Sequence, residues 1–132
     1  MNKTPAQMFG QIFGAIYALI GIAGFFVTGD AEFAGPNGEP LLGLDVNGLH
    51  NVVHLAVGIA LLVASRATET AQQVNTAVGV VLLVVGIAGF FVTDSDANLL
   101  ALNTVDNLIH LATAALALTV GRQVSGNRSA TA

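Results

Sequence analysis

The sequence has few charged residues and no cysteine. Charged types make up 9% of its 132 residues, roughly a third of their share in an ordinary soluble domain. Hydrophobic types make up 54%. With so little charge and so many apolar side chains, the composition indicates a membrane protein.

The missing residue types also exclude several kinds of site and partner. Without cysteine the chain has neither a disulfide framework nor a thiolate metal site, and its redox compartment stays open. The net charge of −4 comes with no basic cluster, so nucleic acid is not an expected partner. The connections that we place outside the membrane are short and pair no nucleophile with a base, so we do not expect an enzyme with a soluble active site.

Four stretches are apolar and long enough to cross a bilayer, which takes about 20 residues. Residues 4–29 and 70–93 carry no charge, residues 46–65 carry only histidines, and residues 99–121 carry one acid, Asp106. The first stretch also suits a cleavable export signal, but its sequence recurs later in the chain. We therefore predict an all-α bundle of four transmembrane helices.

Charges are distributed unevenly between the connections. The basic residues lie before the first span, between the second and third, and after the fourth, whereas the acids other than Glu69 lie in or beside the two remaining connections. The positive-inside rule then puts both termini in the cytoplasm. The four basic residues are Lys3, Arg66, Arg122 and Arg128.

An internal repeat covers most of the chain. Residues 21–28 and 86–93 both read GIAGFFVT, and further identities follow along the second span of each half. The chain is thus predicted to be two tandem helical hairpins, residues 4–66 and 70–122, related by a pseudo-twofold axis along the membrane normal. Residues 1–132 then form one membrane domain, with a polar cytoplasmic tail at 123–132. The matched residues of the second spans are Asn47, Asn51, His54 and Arg66 with Asn103, Asn107, His110 and Arg122.

Local signals predict where the helices begin. Thr4 with Gln7, and Thr70 with Gln73, have the spacing of an N-cap and its capping box. The first outer connection, GDAEFAGPNGEP, is rich in glycine, proline and acids and is predicted to be an irregular loop.

Glycines recur on one face of the first and third spans, where small residues let two helix backbones approach closely. Tight helix packing is the simpler interpretation. The alternative is that the glycines leave room for a flat cofactor or a lipid tail. They are Gly10, Gly14, Gly21 and Gly24 in the first span, and Gly79, Gly86 and Gly89 in the third.

Polar residues follow one face of the second and fourth spans, near the outer end. Because polar groups are costly in hydrocarbon, the two faces should turn inward and towards each other. Asn47 and Asn103 also have the position of N-caps. The stripe consists of Asn47, His50, Asn51 and His54, with Asn103, Asp106, Asn107 and His110.

His50 stands where the second half has Asp106, so the two side chains are predicted to pair between the hairpins. A carboxylate at the third helical position, where Asp106 lies, also suits the positive end of the helix dipole.

His54 and His110 lie two turns into their spans, too deep for capping, and three explanations stay open. They bond Asn51 and Asn107 in a network that joins the helices. Alternatively, they ligate haem b as a bis-histidine pair. As a third explanation, His50, His54 and His110 bind zinc or iron together with Asp106. Passage of protons or small solutes is less favoured, because the inner halves of the spans hold no ionisable residue.

The sequences VNGLHNVVHLAVG and LNTVDNLIHLATA, each after an apolar glycine-rich span and an acidic connection, give the chain a resemblance to a known family. From about Ala6 to Arg122 it resembles an uncharacterised family of small bacterial four-helix membrane proteins, a domain family of unknown function. The resemblance implies an integral protein of the bacterial inner membrane and no particular activity.

Two classes of function are therefore predicted. The first is a structural or accessory membrane protein without a cofactor, which contacts the lipid bilayer and associates with a second copy or a larger membrane complex. The second is a binder of haem b or a divalent metal, with a role in electron transfer, which uses His54 and His110.

Overall fold

A computed structural model describes residues 2–130 of the chain, with side chains for residues 2–123. Most side chains of the predicted polar tail at 123–132, including that of Arg128, lie outside the described residues. Four helices and two short strands form the described chain. In order they are α1 (Pro5–Thr28), β1 (Glu39–Leu41), β2 (Leu44–Val46), α2 (Gly48–Ala64), α3 (Thr68–Val92) and α4 (Thr104–Ala130).

Three helices are long and apolar enough to cross a membrane, namely α1, α3 and the Thr104–Gln123 part of α4. Helix α2 has 17 residues and is about 26 Å long, slightly less than the hydrocarbon thickness of about 30 Å. It is shorter than the predicted second span because the chain before Asn47 forms a strand. Large apolar side chains point outward, with Phe26 and Phe91 86% and 84% exposed, as on a surface that faces lipid.

Helix α1 packs mainly against α2, and glycines make this contact close. A Cβ atom on Gly14 would lie 2.9 Å from the backbone nitrogen of Leu62, and one on Gly21 would lie 2.8 Å from that of Leu55. Real Cβ atoms do not approach backbone atoms so closely. These glycines therefore serve tight packing, and the alternative that they leave room for a flat cofactor or a lipid tail is wrong.

Helix α3 packs mainly against α4 in a similar way. A Cβ atom on Gly79 would lie 2.8 Å from the Leu118 side chain, and one on Gly86 would lie 2.8 Å from the Leu111 side chain. Between the two pairs, the Asn75 amide of α3 donates a 2.9 Å hydrogen bond to the Ala6 carbonyl at the start of α1.

The ends of the helices agree with most of the cap predictions. Thr4 caps α1 with the Gln7 capping box, and Asn47 caps α2. The prediction for α3 is wrong, because this helix begins at Thr68 after Ala67, which makes no side-chain cap. The Thr68 hydroxyl donates to the Gln7 side chain instead, so a contact with α1 holds this end.

The first outer connection is more regular than the sequence indicates. Strands β1 and β2 pair antiparallel through a two-residue turn, in which Leu42 and Gly43 both have positive φ, at 53° and 88°. Tight hairpin turns favour this backbone conformation. Gly35 forms a parallel bridge with Leu100, so the two outer connections contact each other above the helix ends.

The apolar core receives side chains from all four helices and lies on the side of the predicted polar stripe that is nearer the start of α1. Seven buried residues form it: Phe9, Tyr17, Leu61, Val78, Leu82, Ala114 and Ala117. The polar stripe is thus enclosed between this core and the outer connections.

Candidate metal centre

The two cap asparagines also bond the opposite half of the chain. The side-chain oxygen of Asn47 accepts from the backbone N–H of His50 at 2.9 Å. Its amide nitrogen donates to the carbonyls of Gly35, at 3.0 Å, and Leu99, at 2.9 Å. Because one side chain holds the helix start and both outer connections, it fixes the position of His50 in the next turn.

Asn103 has the equivalent arrangement on α4. Its side-chain oxygen accepts from the backbone N–H of Asp106 at 2.9 Å, and its amide donates to the Gly43 carbonyl at 3.0 Å. One carboxylate oxygen of Asp106 accepts from the backbone N–H of Asn103 at 3.3 Å. This reciprocal pair orients Asp106 and leaves its other oxygen, Oδ1, without a hydrogen bond.

The next pair of asparagines bonds within each helix pair. The Asn51 amide donates to the Thr28 hydroxyl at 3.2 Å, and the Asn107 amide donates to the Thr93 hydroxyl at 3.3 Å. Each amide lies against a glycine, Gly24 or Gly89, where a Cβ atom would overlap it. The predicted hydrogen-bond network from these asparagines to His54 and His110 is therefore not formed.

All three histidines of the chain come together in one buried cluster. One ligand atom from each of His50, His54 and His110 can be chosen so that all lie within 4.8 Å of one another. The Nε2 atoms of His50 and His54 are 2.9 Å apart, and the rings of His54 and His110 have centroids 5.9 Å apart. The side chains are 4% exposed or less, so the cluster is closed to bulk solvent.

Asp106 lies next to the three histidines and contacts His50. Its Oδ1 atom lies 3.6 Å from Nε2 of His50, and the residue is 1% exposed. The predicted contact between these two side chains is thus present, although the distance is that of an ion pair rather than a hydrogen bond. The Nδ1 atoms of His54 and His110 are also buried without a hydrogen-bond partner. Such groups are costly unless a proton donor, a metal ion or water satisfies them.

The packing around the histidines does not suit a porphyrin. The cavity beside His54 and His110 has a volume of about 70 Å³, whereas pockets for organic ligands have about 300–1,000 Å³. A larger groove of about 400 Å³ lies beside Leu49 and Leu99, but no histidine lines it. The geometry therefore favours a single ion over the bis-histidine haem alternative.

Tyr17 and Thr113 also line the cavity, together with His54, His110 and Asp106. Neither residue is predicted from the sequence to belong to the site. The Tyr17 ring packs edge-on against His54, with centroids 5.1 Å apart. A signal for both residues exists in the repeat: the second half has Leu82 in place of Tyr17, and the first half has Val57 in place of Thr113. The remaining lining side chains are apolar: Phe13, Ile16, Ile20, Leu44 and Ile109.

Apolar helices of membrane-crossing length around a buried polar centre define a small helical membrane protein. A family model described as a domain of unknown function (DUF4383) matches residues 7–122. The chain therefore belongs to this family, and the predicted resemblance to an uncharacterised family is confirmed. Comparisons with curated proteins and with solved structures found no match.

Proposed function

We propose that this membrane protein binds one divalent transition-metal ion, zinc or iron, through His50, His54 and His110. The observation that carries the proposal is the convergence of three buried imidazoles, with ligand atoms within 4.8 Å of one another. Imidazole suits both metals. Tetrahedral zinc with bonds of about 2.0–2.1 Å needs ligand atoms about 3.3 Å apart, so small ring rotations would close the set.

The arrangement on the helices supports this assignment. His50 and His54 are one turn apart on α2, which is the spacing at which two side chains share a metal. His110 comes from α4, so a bound ion would link the two helix pairs. The His50 Nδ1 atom lies 3.2 Å from the Asp45 carbonyl, and donation to this carbonyl leaves Nε2 free to ligate, as is usual for histidine ligands.

Metal analysis tests the proposal directly. The protein should be purified in detergent with an affinity tag that contains no histidine, because the three histidines of the chain are then the only imidazoles present. We expect about one zinc or iron ion per chain. The variants His54→Ala and His110→Ala should lose the ion, because each removes one of three ligands.

A matched control separates ligand loss from general damage. Asn75→Ala also removes a buried polar side chain with one hydrogen bond, but at the opposite end of the bundle, and it should keep the ion. Full-length protein that remains folded without stoichiometric metal, even after zinc or iron is added, would refute the proposal.

A structural role is the second candidate, and the hydrogen bonds of the cap asparagines favour it. Asn47 reaches the Leu99 carbonyl of the second half, and Asn103 reaches the Gly43 carbonyl of the first. Together with the His50 and Asp106 contact, these bonds would hold the two hairpins in register near the outer side. If the metal-free protein melts at the same temperature with and without added zinc or iron, the structural role is favoured over the metal site.

The two halves are proposed to be tandem hairpins related by a pseudo-twofold axis. The matching contacts of Asn51 with Thr28 and of Asn107 with Thr93 support this symmetry. We further propose that all four helices span a bacterial inner membrane with both termini in the cytoplasm. Lys3 and Arg66 lie at the ends of α1 and α2 that would then be cytoplasmic, as the positive-inside rule requires.

A further inference from the structure

We propose that the metal centre has an open coordination position, which faces the 70 Å³ cavity and binds water or a small anion. This inference rests on the proposed metal site and adds the class of ligand that the site accepts. The anion would be a compact species of two or three atoms, held by the ion and by the hydroxyl groups of Tyr17 and Thr113.

The ligand count leaves a position free. Three histidines supply three bonds, and zinc sites with three protein ligands keep the fourth position for water or substrate. Asp106 is restrained by its capping bond to the Asn103 backbone N–H, and its Oδ1 atom lies 3.6 Å from Nε2 of His50. Asp106 is not among the three converging ligand residues, so we assign its carboxylate as the acceptor of a hydrogen bond from a water molecule on the ion.

The size of the cavity limits the ligand. A water molecule needs a cavity of at least about 10–15 Å³, and organic ligands occupy pockets of about 300 Å³ or more, so about 70 Å³ suits water or a compact anion. His54, His110 and Asp106 line this space, and each has one buried polar atom without a hydrogen-bond partner. A polar ligand in the cavity would satisfy these groups, whereas an apolar one would leave them unpaired.

Charge also favours an anion. A divalent ion with three neutral imidazoles and one carboxylate keeps a net charge of +1. In a site that is closed to bulk solvent and surrounded by apolar side chains, this charge is costly. A bound hydroxide or small anion would neutralise it.

The internal repeat also draws attention to this cavity. When the two halves are aligned, Tyr17 matches Leu82, Thr113 matches Val57, and Asp106 matches His50, so none of these polar residues is repeated. Tyr17, Thr113 and Asp106 all line this one cavity. The two halves of the chain therefore differ in polarity at this cavity.

Cobalt(II) provides the test, because it takes zinc sites and its visible absorption reports the ligands. Full-length protein in detergent is loaded with cobalt(II) and titrated with azide, which replaces water on the ion. We expect a saturable change of the visible spectrum with one azide per cobalt. Tyr17→Phe and Thr113→Val should keep cobalt but weaken azide binding by about tenfold each, because each loses a hydrogen bond to the anion.

Control variants make each outcome decisive. Thr119→Val removes a hydroxyl that bonds the Ala115 carbonyl on the same helix and should leave azide affinity unchanged. Cobalt that binds without any response to azide would overturn the open position but leave the metal site intact. Wild-type azide affinity in both Tyr17→Phe and Thr113→Val would overturn the role of the cavity. Folded protein that takes up no cobalt would overturn the metal site and this inference together.

Discussion

The amide nitrogen of Asn47 donates a 2.9 Å hydrogen bond to the carbonyl of Leu99. One side chain therefore caps α2 and holds the outer connection of the other half. Asn103 makes the reciprocal contact with Gly43 at 3.0 Å. The residue at the third helical position after each cap, His50 or Asp106, is part of the buried cluster, so the caps and the candidate metal centre form one continuous structure.

Asn47→Ser should destabilise the protein by about 1–3 kcal/mol. Serine can cap a helix as asparagine does, but it is too short to reach the Gly35 and Leu99 carbonyls, so both of these hydrogen bonds are lost. Thermal unfolding in detergent measures the effect. In the matched variant Asn103→Ser the lost bond is exposed, so the expected loss is below about 1 kcal/mol. Equal losses in the two variants would contradict the assigned roles.

Gly24→Ala should destabilise the protein by about 1–3 kcal/mol, because the added methyl group overlaps the Asn51 side chain. Gly89→Ala should have the same effect, because its methyl group would overlap the Asn107 side chain. Unfolding of Gly24→Ala in an Asn51→Ala background provides the control, because the space of the amide is then empty. The glycine substitution should cost less there, and strictly additive losses would show that the two residues do not couple.

Asp106→Asn should reduce the stabilisation that zinc gives the protein. The amide can keep the capping bond to the Asn103 backbone but lacks the negative charge beside His50, and metal binding stabilises a fold according to its affinity. The measurement is the rise in melting temperature when zinc is added to metal-free protein. Asp96→Asn removes an exposed charge and should respond as wild type does. If zinc raises the melting temperature of Asp106→Asn as much as that of the wild type, this carboxylate is not part of the metal centre.

Cysteine labelling should report the orientation, since the chain has no cysteine of its own. Leu42→Cys, at the 86% exposed tip of the hairpin, should react with a membrane-impermeant maleimide in bacterial spheroplasts. Arg66→Cys, between α2 and α3, should react only after the membrane is permeabilised. The opposite pattern would reverse the proposed topology.

The sequence predicted most of the helical architecture. Long uncharged stretches predicted the apolar helices, and the spacing of Thr4 with Gln7 predicted the first cap, because both signals are local. The strand pair at Glu39–Leu41 and Leu44–Val46 was missed, since its turn puts Leu42 at positive φ without a typical turn sequence. The start of α3 was also missed, because contact with α1 rather than a local cap holds it.

The sequence by itself determined that apolar helices carry a polar stripe, because composition and periodicity express how side chains divide between lipid and the bundle interior. It also identified His50, His54, His110 and Asp106 as the residues with chemistry to explain. Only the tertiary structure decided that the three imidazoles converge, that the asparagines bond elsewhere, and that Tyr17 borders the same cavity. Distances between side chains on different helices depend on how the helices pack, and no local pattern in the sequence specifies that packing.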